Sequence, residues 1–132
     1  MGNALPASAQ SLGRSTPAHV AFAFAAMGGW ALFANRGHGL AEAWPPALAQ
    51  GVMSGAITFV LKRALEAMAG RFVGALAYLA PPAITALAIL AVLTAVHRLI
   101  GTPEILATIA VPWSVSTLYA VAYTAALARR PR

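Results

Sequence analysis

The sequence predicts an all-α membrane protein with four antiparallel transmembrane helices and both termini in the cytoplasm. Three observations lead to this fold: 60% of the 132 residues are hydrophobic, only 9% are charged, and the apolar residues form long runs between short polar segments. Roughly a quarter of the residues on the surface of a soluble domain are charged. One helix that spans a membrane needs about 20 apolar residues. Four spanning helices with short loops account for the length of the chain.

The first two predicted helices follow a small, polar stretch at the N-terminus. Residues 1–16 are expected to form a flexible tail, and residues 17–34 form the first span, because proline suits the first helical turn. The segment 35–39 contains two glycines and is predicted to be a loop. The second helix is expected over residues 44–69, with Gly70 as its terminator.

The third apolar run, residues 72–98, contains the pair Pro81 and Pro82. Proline removes a backbone donor and clashes with the preceding turn, and the residue before it avoids helical angles. Either one long helix kinks at this point, or residues 72–80 lie at the membrane interface and the span begins at Pro81. We expect a break near residue 81.

The fourth helix is predicted over residues 103–128. Gly101 follows the third helix as a stop signal, Thr102 is expected to cap the fourth, and Pro103 takes its first position. Glu104 would then lie in the first turn, where a negative charge favours the helix dipole.

The orientation follows from the lysine and arginine residues of the short loops. One side has seven and the other has two, and basic loops remain in the cytoplasm. The abundance of Ala and of Arg relative to Lys is typical of a GC-rich bacterial genome, so a bacterial inner membrane is expected. The seven are Arg14, Lys62, Arg63, Arg71 and, in the basic C-terminal tail 129–132, Arg129, Arg130 and Arg132; the two are Arg36 and Arg98.

Several function classes are disfavoured by what the spans lack. No Asp, Glu, Lys or Arg lies in the middle of a predicted span, whereas a proton-coupled exporter needs a titratable carboxylate there. The absence of cysteine excludes thiolate metal sites and cysteine nucleophiles. Three histidines on separate elements do not have metal-ligand spacing, and nine scattered basic residues do not form a nucleic-acid-binding stripe. We therefore predict no metal, no cofactor, no nucleic-acid partner and no enzymatic activity.

A polar face is predicted on the second helix. Gln50, Ser54 and Thr58 recur every four residues, and Gly51 and Gly55 lie beside them. Such a face either lines a substrate path or forms a packing interface, in which small residues let helices approach and polar side chains bond across.

A second polar face is predicted on the fourth helix, beyond a kink at Pro112. Ser116, Tyr119 and Tyr123 share this face, and the carbonyl group of Thr108 loses its helical partner. These groups either contact a ligand or satisfy the backbone near the proline.

At the outer surface, the tight turn between the third and fourth helices brings His97, Arg98 and Glu104 together. These residues either form a polar mouth that recognises an anionic head group or have separate structural roles. In the second case they cap a helix, anchor a side chain at the membrane surface and form an exposed ion pair. His97 with Glu104 is the only acid–base pair, and without a nucleophile it is no active site. The other hairpin contributes Arg36, His38 and Glu42 to the same side.

One short segment resembles a known family. Thr58 to Arg63 is loosely similar to the Asn-Phe-x-x-Asn-Arg signature at the end of the second span of GtrA-like proteins, which have four spans and are thought to help move polyprenyl-linked sugars. The agreement is limited to Phe59 and Arg63, because Thr58 and Lys62 replace the two asparagines. A likeness over six residues does not assign the chain to that family. Small multidrug-resistance transporters share the size, but this chain lacks their carboxylate in the first span.

Two functions are compatible with this pattern. The first is a transport or flippase-type protein for a lipid-linked or amphipathic substrate, bound by Gln50, Ser54, Thr58, Ser116, Tyr119, His97, Arg98 and Glu104. The second is a non-catalytic accessory subunit that packs against a larger membrane enzyme or transporter. Small residues on the first two helices predict tight packing within or between subunits. The expected partners are membrane lipids and either further copies of the chain or a larger membrane protein.

Overall fold

A computed structural model describes the backbone of residues 7–131 and the side chains of residues 16–131. The described residues form four α-helices with short connections. Contacts between α1 and α2, and between α2 and α3, join early residues of one helix to late residues of the next, as antiparallel helices require. The helices are α1 (Ala7–Ala34), α2 (Leu40–Met68), α3 (Leu76–Leu99) and α4 (Ile105–Ala128), with a 3₁₀ turn at Arg36–His38.

The helices differ from the sequence expectation at several of their starts and at the predicted break. α2 begins at Leu40, four residues before the expected start, and α4 begins at Ile105, two residues after it. The backbone of α1 is helical from Ala7, ten residues before the expected start at Pro17, and only residues 1–6 of the predicted tail lie outside the described residues. α3 runs from Leu76 through Pro81 and Pro82 to Leu99, so the helix does not break near residue 81. Both prolines lie within the second turn, where the donors they lack would have served only the carbonyl groups of Ala77 and Tyr78.

α2 and α4 each contact the other three helices, whereas α1 and α3 do not contact each other within the described residues. Three helical segments are long and apolar enough to cross a membrane: Thr16–Ala34, Leu76–Leu99 and Ile105–Ala128. α2 carries four charged residues near its ends, Glu42, Lys62, Arg63 and Glu66, and is not among them.

Small residues set the distance between α1 and α2. A Cβ atom added at Gly28 would lie 3.0 Å from the carbonyl oxygen of Ala47, and one at Gly51 would lie 3.1 Å from the ring of Phe24. A Cβ atom at Gly55 would meet Val20 at 3.3 Å. The glycines on α2 therefore pack against α1 of the same chain, as helix–helix contacts between small residues do in membranes.

The interior of the bundle differs between its two ends. We call the end with the connections 35–39 and 100–104 the hairpin end, and the end with the connection 69–75 and residues 129–131 the termini end. Leu61, Leu65 and Ala120 form an apolar core in the half toward the termini end. Most of the interhelical bonds between buried polar side chains lie toward the hairpin end.

Candidate functional site

Four side chains form a buried polar chain toward the hairpin end. Gln50 and His97 are fully buried, and Ser54 and Thr102 are 6% exposed. The amide nitrogen of Gln50 donates to the hydroxyl of Ser54 at 2.8 Å, and its amide oxygen lies 2.9 Å from Nε2 of His97. Nδ1 of His97 lies 2.8 Å from the hydroxyl of Thr102. Two polar positions that the sequence placed at separate sites, Gln50 and His97, thus bond to each other.

The direction of donation follows from the amide of Gln50. Its nitrogen already donates to Ser54, so its oxygen accepts the proton on Nε2 of His97. Nδ1 then carries no proton and accepts from the Thr102 hydroxyl. A neutral imidazole satisfies both contacts of His97, so the chain ties α2 to the end of α3 with both ring nitrogens bonded.

Asn35 is the second buried polar centre at the hairpin end. Its amide nitrogen donates to the carbonyl oxygen of Ala31 and to the hydroxyl of Thr108, both at 2.8 Å. Its amide oxygen accepts the backbone N–H of Glu104 at 3.0 Å. α4 therefore begins at Ile105, after Glu104, and the cap is supplied by Asn35 rather than by Thr102, whose hydroxyl is engaged with His97.

The predicted outer mouth is divided between the interior and the surface. His97 is buried and Glu104 is exposed, so the expected pairing of these two residues does not form. Glu104 instead contacts His38 at 2.9 Å, with the two side chains 51% and 44% exposed. Arg98 is exposed and belongs to neither contact. A half-exposed pair of this kind contributes little to stability, although it joins the two hairpins.

Arg36 is held by its own helix rather than by the predicted mouth. One terminal nitrogen donates to the carbonyl oxygen of Phe33 at 2.7 Å, and the guanidinium lies 3.7 Å from the centre of the Phe33 ring. Arg36 therefore caps the last turn of α1. A shallow pocket of about 280 Å³ lies beside it, lined by Ala34, Arg36, Gly37, His38, Glu104 and Ala107.

The remaining predicted polar positions bond largely within their own helices. Thr58 is exposed and donates to the carbonyl oxygen of Ser54 at 2.8 Å. Ser116 is buried and donates to the carbonyl oxygen of Trp113 at 3.0 Å. Tyr119 is 42% exposed and stacks on Tyr123 with 5.5 Å between the ring centres. The described residues do not bring these three together with Gln50 and His97 at one ligand site.

Two tryptophans and one tyrosine connect helices that are distant in sequence. The indole N–H of Trp30 donates to the carbonyl oxygen of Ala107 at 2.8 Å, and that of Trp113 donates to Ala86 at 2.9 Å. The hydroxyl of Tyr123 donates to Glu66 at 2.5 Å. These bonds fix α4 against α1, α3 and α2 in turn.

A cleft of about 430 Å³ opens at the termini end, between α2, the connection 69–75, α3 and α4. Its walls are mostly apolar, and its polar members include Thr124, Tyr78 and Arg130. The hydroxyl of Thr124 is buried and has no hydrogen-bond partner. The amino-acid pattern does not predict this cleft, because it forms only where residues 65–81 pack against residues 124–131.

Sequence reasoning also missed Asn35 as a functional side chain. Asn35 follows an apolar run and precedes Arg36 and Gly37, so it reads as a loop residue. The available signal is an amide next to a spanning helix, where polar side chains bond across helices. Its partner Thr108 was noted only for its carbonyl group.

Among the residues that the structure describes, no group of three or more His, Asp or Glu side chains converges to hold a metal ion. The buried polar groups that do converge are Gln50 with His97, and Asn35 with Thr108, and in each pair the polar atoms face one another. No protein-family model matches the sequence, and comparisons with curated proteins and with solved structures also found no match.

Proposed function

We propose that this chain is a non-catalytic accessory subunit, an integral membrane protein with four spans that packs laterally against a larger membrane protein. Both termini lie in the cytoplasm, because the positive-inside rule applies to the seven lysine and arginine residues of that side. The composition favours a bacterial inner membrane. The observation that carries the proposal is the outward face of α1.

That face forms a regular seam, which we call the α1 outer seam: His19, Phe22, Ala26, Gly29 and Phe33. Its residues are spaced alternately by three and four positions, the spacing with which one helix packs along another. Phe22 is 73% exposed and Phe33 is 53% exposed, and a Cβ atom at Gly29 would meet nothing within 4 Å. Large rings alternating with small residues favour a helix as neighbour.

The low burial of α1 supports the same proposal. Only 11% of the apolar segment Thr16–Ala34 of α1 is buried, compared with 28% for α3 and 28% for α4. The inner face of α1 is used by α2, through Gly28 and Ala47. The outer seam is therefore available to a partner without any change in the bundle.

The state of the predicted substrate residues argues against a path through the bundle. Gln50 and His97 are fully buried and bond to each other, and Ser116 bonds to its own helix. Side chains that satisfy one another in this way specify the packing of the helices. A substrate path would need to break these bonds.

The first test is co-purification in a gentle detergent, followed by native mass measurement. The unchanged chain is expected to retain a larger membrane protein in fixed stoichiometry, and Gly29→Leu is expected to lose it by filling the outer seam. Ala88→Leu, which adds three carbon atoms where Gly29→Leu adds four, lies at an exposed position of α3; it is the control and is expected to retain the partner. Equal retention by both variants, or no stoichiometric partner, contradicts the proposal.

Transport of a lipid-linked or amphipathic substrate is the second candidate, favoured by one observation. Thr58 and Tyr119 carry hydroxyl groups on the outside of the bundle, where a second copy of the chain would enclose a path between subunits. Since the chain has no cysteine, single cysteines at these two positions distinguish the functions. Transport predicts that both react with a water-soluble thiol reagent in the folded protein, as Gly37→Cys does in the exposed loop. The accessory function predicts that both are protected.

A further inference from the structure

The cleft at the termini end combines apolar walls with one unsatisfied hydroxyl, that of Thr124. Its volume of about 430 Å³ lies within the range of about 300–1,000 Å³ that is usual for small-molecule sites. Val73, which lines it, is 73% exposed, so the cleft is open to molecules outside the bundle. Fourteen residues line it, of which Leu65, Phe72, Val73, Ala77 and Leu127 supply apolar contact.

Residues with hydrogen-bonding groups line this cleft from two helices. Thr124 is 3% exposed, and its hydroxyl has no partner, which is a costly state for a buried polar atom. On α3, Pro81 and Pro82 have no N–H to donate to the carbonyl groups of Ala77 and Tyr78. Thr124 therefore contributes an unpartnered hydroxyl, and α3 contributes two carbonyl groups that the prolines cannot serve.

Positive charge lies at the rim. Arg130 lines the cleft, and Arg71 follows Gly70, which also lines it. Glu66, on the neighbouring turn of α2, is bonded to Tyr123. Positively charged groups above an apolar cleft complement a molecule with an anionic head and apolar chains.

We propose that this cleft binds one anionic phospholipid, with its phosphate at Arg130, its acyl chains along Phe72, Val73 and Leu127, and a head-group hydroxyl at the carbonyl groups of α3 that the two prolines cannot serve. The site is independent of the α1 outer seam, because it lies on the other side of α2. Phosphatidylglycerol has both the charge and the head-group hydroxyls, whereas phosphatidylcholine has neither.

The test is native mass spectrometry of the full-length protein, titrated in detergent with phosphatidylglycerol or phosphatidylcholine. One phosphatidylglycerol per chain is expected to remain bound after gentle activation, and phosphatidylcholine is expected to dissociate. Arg130→Ala should weaken phosphatidylglycerol binding about fivefold, the contribution of one basic residue near an anionic lipid. Arg129→Ala is the matched control, since Arg129 carries the same charge and does not line the cleft.

Two further variants separate a site from general lipid adhesion. Thr124→Val removes the unpartnered hydroxyl and keeps the shape of the side chain, so it should weaken binding without lowering the thermal stability. Ala77→Phe fills the cleft and should abolish the single bound lipid. Equal effects of Arg129→Ala and Arg130→Ala, several exchangeable lipids per chain, or equal retention of phosphatidylcholine would each overturn the proposal.

Discussion

Replacing Gln50 with leucine tests the buried polar chain directly. Leucine has a similar volume and cannot hydrogen-bond, so the variant leaves the Nε2 proton of His97 without an acceptor and the hydroxyl of Ser54 without a donor. A buried donor that loses its partner costs about 1–3 kcal/mol, while single interhelical bonds in membranes average about 0.6 kcal/mol. Two bonds of 2.8 and 2.9 Å are lost, so we expect a destabilisation of about 1–3 kcal/mol.

The assay is equilibrium unfolding of the purified protein in mixed micelles, with increasing sodium dodecyl sulfate. Trp30 and Trp113 donate across helix pairs, so their fluorescence reports the separation of the helices. Thr58→Val is the control from the same face of α2, because its hydroxyl is exposed and bonds only within the helix. The control is expected to change the unfolding free energy by less than about 0.5 kcal/mol.

A double variant sharpens the test. Gln50→Leu combined with His97→Leu removes both partners, and apolar replacement of a bonded pair is nearly neutral compared with breaking it. The pair should therefore be less destabilised than the two single variants added together, by about 1 kcal/mol. Strict additivity, or a cost for Gln50→Leu no larger than that of Thr58→Val, would refute the view that Gln50 and His97 act as a bonded unit.

Three other predictions use the same unfolding assay. Asn35→Ala removes three hydrogen bonds and the cap of α4 and should cost about 2–3 kcal/mol; a cost below that of the control contradicts the assignment of the cap. Alanine at Gly28 or Gly51 should cost about 1–3 kcal/mol by overpacking, whereas alanine at Gly29 should be neutral, because only the first two positions are crowded. Tyr123→Phe removes one exposed bond to Glu66 and should cost no more than about 1 kcal/mol; a larger loss would mean that this bond organises the termini end.

The existence of the helices was predictable because long apolar runs have few structural alternatives. Their ends were less predictable: the polar residues 7–16 carry no signal that distinguishes a tail from a helical extension, and α1 begins at Ala7. The pair Pro81 and Pro82 predicted a break in α3. Both prolines lie near the start of the helix, so the backbone N–H groups that they lack would have bonded only to carbonyl groups of the first turn. A sequence-based prediction treats every proline as a helix breaker, whereas the free-energy cost of a proline depends on its position in the helix.

The candidate site was predictable in part. Gln50 and His97 were each identified as important polar positions, but their contact joins residues 47 positions apart and depends on how α2 and α3 pack. Asn35 was read as a loop residue, since its bonds to Thr108 and to the N–H of Glu104 come from another helix. The pairing of Glu104 with His38 instead of His97 has the same cause, because only the packed bundle shows which side chain turns inward.

The packing of α2 against α1 bears on how the proposed membrane protein is made. During synthesis α2 emerges after α1 and before the two most apolar helices, and it is not among the segments apolar enough to cross a membrane by themselves. Insertion of a less apolar helix is less favourable when lipid alone surrounds it. α1 is then already available, and Gly28 and Gly51 let the two backbones come into close contact. If the chain inserts as proposed, the α1–α2 hairpin would enter the bilayer as one unit, and a larger residue at Gly28 would act during biogenesis, before any partner is met.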